Sequence, residues 1–305
     1  MPVRDAARAD TVDGVTDTLR LTLPLTRFVL IAGALLTLLA GIQLFVLGDN
    51  TADYFSWTIS AGSTAATIGA FYWTAALLAF LSWRHREWVY ARAGIYGVTF
   101  FLWATLITIL VHLDRFHLAG SGMGRFSAWV WLVLYICYPI LVTAALVMQL
   151  RANGTDPART SPLSTFYRAA LGICGSTSVI LGVSMLIVPA FVANYSATPL
   201  TPLTARAIGS WLLAAGVVYL TMMMENDAAR IRPPAVASLV GAVLLVIVLA
   251  RYWPQFSWGG PRWSYLLVVV VAAGLGIAGL LAGRIDASAN AEAPANAGAP
   301  GAVGD

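Results

Sequence analysis

The chain reads as an all-α transmembrane protein of eight helices, arranged as two tandem four-helix repeats in the same orientation with both termini cytoplasmic. Three observations predict this. The composition is 59% hydrophobic and only 10% charged, against roughly 25% charged in an ordinary soluble domain. Eight runs of about 18 or more residues carry no charge, enough at about 1.5 Å per residue to cross a hydrocarbon core of about 30 Å. Residues from about Thr26 to Phe116 also match residues from about Arg168 to Phe256 at an offset near 140, the self-similarity of a duplicated architecture.

The elements follow in chain order. The stretch from Met1 to about Arg20 mixes Asp and Arg with little apolar content, and residues 1–25 read as a disordered cytoplasmic tail. Apolar runs at 28–48, 63–83, 93–111 and 128–150 make the first repeat, 26–150. The first of them follows a charged tail and precedes no small-residue cleavage site, which marks an anchor rather than a signal peptide. Residues 151–166 form a cytoplasmic linker, and runs at 169–190, 207–224, 233–250 and 264–283 make the second repeat, 167–284. The seventh run has the least margin, because Pro233 and Pro234 open it. Residues 285–305, rich in Ala, Gly and Pro, read as a second disordered tail.

The duplication rests on matched positions. Ser56 and Ser196, Thr58 and Thr198, Thr64 and Thr204, Ala65 and Ala205, Ile68 and Ile208, and Gly69 and Gly209 are identical without a gap, where composition alone would give roughly one match. Glu87 and Arg92 fall on Asp227 and Arg232, and an ion pair within each of these turns is expected to pin the loop between the second and third helix of each repeat. Orientation comes from arginine, since the chain has no lysine. Of its 18 arginines, only Arg115, Arg125, Arg206, Arg251 and Arg262 fall on the side opposite the tails, so the tails and even-numbered loops are assigned to the cytoplasm.

Several chemistries are excluded or disfavoured. No Asp, Glu, Lys, Arg or His lies well inside a span, which disfavours a proton-coupled transporter. The chain carries no phosphate loop, His-Glu-x-x-His or Cys-x-x-Cys pattern. Cys137 and Cys174 read as packing residues, as do the small-residue pairs Ala65 and Gly69, Ala272 and Gly276, and Gly279 and Gly283. The consecutive Met222, Met223 and Met224 point to different sides of a helix and do not suggest a metal. His85 lies at the opposite end of the membrane from His112 and His117, which argues against haem between helices; no cofactor is expected. Aromatic residues at span ends, among them Tyr54, Phe55, Trp57, Trp88, Tyr252, Trp253 and Trp263, read as an interfacial belt.

One constellation stands out: His112, Asp114, Arg115 and His117 at the outer end of the third span. His112, Asp114 and His117 could hold a transition metal, or a base and its orienting acid, if the backbone turns back there. On a continuing helix 112 and 117 lie about 140° apart, too far round for one ion. The second repeat carries Tyr252, Pro254 and Gln255 at the positions of His112, Asp114 and Arg115, while Arg206 and Arg251 replace Ala66 and Val111. His112, Asp114, Arg206 and Arg251 are therefore the candidate ligand-binding residues, suited across a cleft to a phosphate or carboxylate headgroup.

The stretch Tyr54 to Trp73, the run from His112 to His117 with Trp129 to Pro139 after it, and Gly209-Ser-Trp-Leu-Leu followed by Glu225-Asn-Asp227 resemble a family of bacterial polytopic integral membrane proteins with no assigned activity. The resemblance implies a bacterial inner membrane location. The preferred reading is a non-enzymatic protein that binds or moves a small or amphipathic molecule between its repeats. The alternatives are a membrane-embedded enzyme or metal site using the outer His and Asp cluster, and a structural or assembly subunit. Expected partners are membrane lipids and not nucleic acid; homo-oligomerisation stays open, because small-residue faces serve contacts within and between chains equally.

Overall fold

The computed structural model describes residues 19–259 and 263–292. The outer Arg262, residues 1–18 of the first tail and residues 293–305 of the second lie outside the described residues. Eight helices among the described residues are long and apolar enough to cross a membrane. They are α1 (Pro24–Val46), α2 (Gly62–Arg84), α3 (Trp88–Val111), α4 (Met123–Leu150), α5 (Thr165–Ile187), α6 (Pro202–Glu225), α7 (Arg232–Arg251) and α8 (Ser264–Glu292). The chain is thus a multi-pass membrane protein whose partner along most of its length is lipid.

Local sequence sets the boundaries. The α6 start is a capping box, in which Thr201 and Thr204 satisfy each other's backbone N–H behind Pro202. Ser164 caps α5 by accepting from the Tyr167 amide. Pro233 and Pro234 cost α7 nothing, because the N–H groups they lack belong to a first turn that has no intrahelical acceptor. The last helix runs on to Glu292, into the stretch expected to be disordered. Its alternating alanines carry the highest helix propensity and overcome the polar residues between them.

Two crossings depend on missing side chains. A Cβ on Gly69 of α2 would stand 2.4 Å from the Phe45 amide nitrogen of α1, and one on Gly209 of α6 would stand 2.9 Å from the Gly182 carbonyl oxygen of α5. Only glycine lets these backbones approach so closely. Elsewhere α2 packs on α7 and α3 on α6, which joins the first four helices to the last four. The loops after α3 and α7 behave alike. After α3 the chain makes a 3-10 turn at Leu113–Arg115 and the His117 amide donates to the Ser56 carbonyl; after α7 it makes one at Trp253–Gln255 and the Ser257 amide donates to the Ala197 carbonyl.

The turns between α2 and α3 and between α6 and α7 depart from expectation. Glu87 does not pair with Arg92, nor Asp227 with Arg232. Arg92 instead reaches Glu225 at the end of α6, 2.5 Å away, and Asp156 of the linker, also 2.5 Å away. Arg230 pairs with the other Glu225 oxygen at 2.9 Å, with both side chains nearly buried, and donates to the Pro157 carbonyl. The carboxylate of Asp227 accepts the backbone N–H groups of Thr160, Ser161, Ala229 and Arg230. Those N–H bonds and the Arg230 charge hold its pKa below the usual carboxylate value despite the opposing effect of burial. The physical reason for the departure is that a carboxylate held away from water needs several donors at once, which the α6–α7 turn, the linker and α3 supply together. The linker is consequently clamped to the α6–α7 turn.

The aromatic belt also needs correcting. Tyr54, Trp253 and Trp263 are exposed as expected, but Phe55, Trp57, Trp88 and Tyr252 are buried. Phe55, Trp57, Phe116 and Trp131 pack edge to face or tilted under the first outer loop, where burying large rings outweighs interfacial solvation.

Candidate functional site

The structure places the four expected ligand-binding residues at the end of α3, the start of α6 and the end of α7, and of the four brings together only His112 and Arg206. Arg206 donates to the Leu186 carbonyl at the end of α5 at 2.9 Å and to His112 Nε2 at 2.6 Å. Arg251 donates to the Phe45 carbonyl at 2.8 Å and, with longer contacts, to the Val46 carbonyl and Asp49 at the end of α1. Each guanidinium therefore caps the unsatisfied carbonyls of a neighbouring helix. Asp114 is exposed and pairs only with its neighbour Arg115, at 3.0 Å.

His117 is spent as well. Its Nδ1 donates to the Phe55 carbonyl at 3.0 Å, and its Nε2 lies 3.0 Å from the Thr58 hydroxyl, so both ring nitrogens pin the loop between α1 and α2. No group of three or more potential metal ligands gathers anywhere among the described residues, and His112, Asp114 and His117 each face different partners. In His112 the Nε2 must accept, which fixes the neutral tautomer with its proton on Nδ1. Partial burial and the adjacent Arg206 charge push its pKa below the ordinary 6.5, against a smaller opposing effect of Asp114.

The larger feature lies between the helices. A cavity of about 950 Å³ is lined by residues of all eight helices, and among the described residues that line it there is no Asp, Glu, Lys, Arg or His. Its volume is that of a site for a molecule of drug or lipid-head size. Aromatic rings shape its middle: Trp211 of α6 lies 3.9 Å from Phe101 of α3 and 4.8 Å from Tyr72 of α2, and Trp131 stacks on Tyr135 along α4. The Tyr72 and Tyr135 hydroxyls meet at 2.8 Å, both side chains being more than nine-tenths buried. Exposed apolar residues such as Leu39, Phe126, Ile173 and Leu267 also line the space, so it opens to the surface of the bundle past apolar side chains.

No motif in the sequence marks these aromatics as a site. A signal was present: Tyr and Trp favour membrane interfaces, whereas Tyr72, Tyr135 and Trp211 sit near the middle of their spans. No protein-family model, curated protein or solved structure matches the chain.

Proposed function

We propose that the protein binds, without catalysing a reaction, a neutral lipophilic molecule held within the membrane between its first four helices and its last four. The observation that carries this reading is the 950 Å³ cavity whose lining, among the described residues, has no charged side chain or imidazole. In a low-dielectric space an ionised ligand without a counter-charge is strongly disfavoured, and an apolar one with few polar groups is favoured. An anionic headgroup at the outer end gains no support, since Arg206 and Arg251 are committed to helix carbonyls.

The same reading takes the two sets of four helices as an internal duplication about an axis along the membrane normal, with the tails cytoplasmic in a bacterial inner membrane. The paired crossings α2–α7 and α3–α6, the two equivalent 3-10 turns and the glycines Gly69 and Gly209 support it.

Filling the cavity tests the function. Ala75 of α2 and Ala215 of α6 both line it. Dodecylbenzene should raise the melting temperature of the detergent-solubilised chain in a concentration-dependent way, and the double substitution Ala75→Phe with Ala215→Phe should abolish that rise. An equal rise in both proteins would place binding elsewhere and defeat the proposal.

A further inference from the structure

The tyrosine pair specifies the polar part of the ligand. Each phenol carries one hydrogen to donate and lone pairs to accept. In the contact between Tyr72 and Tyr135 one hydroxyl donates to the other, which uses one of the two hydrogens. Neither hydroxyl has any other hydrogen-bond partner among the described residues, so the second hydrogen has no acceptor although both side chains are buried. Leaving such a donor unmatched in an apolar surround is costly. The pair faces a cavity where Trp131, Phe101 and Trp211 supply flat apolar walls.

Resting on the reading of this cavity as a ligand site, we infer that the ligand is an uncharged lipid bearing an acceptor oxygen, of the ketone, ester or ether class, which takes the free hydrogen of the Tyr72–Tyr135 pair. The acceptor is neutral, because among the described residues no cation lines the cavity to balance an oxyanion. A purely hydrocarbon ligand would leave the donor unmatched. The remainder of the molecule is apolar and flat or flexible enough to lie against the aromatic walls, and it enters sideways from the bilayer between the exposed lining residues.

The pair makes an unusual mutational prediction. Tyr72→Phe leaves the Tyr135 hydrogen free to donate, and Tyr135→Phe leaves that of Tyr72, so each single variant keeps one donor. Only the double variant has none. The experiment titrates the full-length chain in mild detergent with dodecanophenone and with dodecylbenzene, which differ by one carbonyl oxygen, and reads apparent affinity from the shift in melting temperature. The native chain and both single variants should prefer the ketone by about tenfold, the size of effect a single neutral hydrogen bond can give. The double variant should bind the two compounds alike.

Equal binding of both compounds to the native chain would overturn the inference while leaving the cavity a ligand site. Failure of both to bind would overturn the cavity reading itself. A ketone preference retained by the double variant would show that another group supplies the hydrogen, and would also overturn the assignment. Binding of dodecylbenzene by the double variant shows that it is folded.

Discussion

His112 shows how a residue chosen from sequence for its chemistry can be given a mechanical task by its neighbours. Its Nε2 accepts from Arg206, which at the same time caps α5, so the neutral imidazole is the form that fits. Its pKa in the folded chain lies below 6.5; the unfolded state therefore binds its proton more readily. Its stabilising contribution is complete above pH 6.5 and is lost as the pH falls below that value toward the folded pKa. The melting temperature of the native chain should fall on acidification from pH 7.5 to pH 5 by more than that of His112→Gln, measured under identical detergent conditions. Parallel pH profiles would show that the contact with Arg206 does not discriminate between charge states. The outer cluster was visible in the sequence because unlike residues stood at equivalent positions. Its partners were not, because Arg206 lies 94 residues away and its choice between a ligand and a helix end depends on three-dimensional approach.

The helices themselves were legible, since an apolar run of sufficient length has few alternatives in lipid. The eight expected runs overlap the eight helices α1 to α8, and the boundaries moved outward by a few residues where capping chemistry, as at Thr201, or proline, as at Pro24, favoured an earlier start. Glycine contacts were legible as well, though not their partners. Gly69 and Gly209 admit the backbones of α1 and α5 respectively, and Leu at either position would force the pair of helices apart. Gly69→Leu and Gly209→Leu should each destabilise the chain by at least about 1–3 kcal/mol. Gly274→Leu, where an added Cβ would meet nothing within 4 Å, should leave unfolding unchanged. Thermal or denaturant unfolding of the three variants in one detergent checks this, and indifference at Gly69 and Gly209 would remove the close crossings from the account.

For the whole molecule, the contacts that matter most join distant segments. Arg92 of α3 meets Glu225 of α6 and Asp156 of the linker, while α2 packs on α7 and α3 on α6. Local sequence pointed to ion pairs within each turn because spacing is all that a sequence displays; burial selected the longer-range partners, since a carboxylate removed from water needs several donors at once. The cavity was hidden for a similar reason. Tyr72 and Tyr135 are 63 residues apart on helices that come together only in the folded bundle, and neutral residues advertise no chemistry until they converge.

Whether this bundle holds a neutral lipophilic molecule is read out by native mass spectrometry of the full-length chain released from mild detergent. An uncharged lipid should be retained by the native chain at close to one per cavity and be absent from the Ala75→Phe, Ala215→Phe double variant. A native chain that carries no neutral lipid, or that retains only anionic phospholipid equally in both proteins, would contradict it.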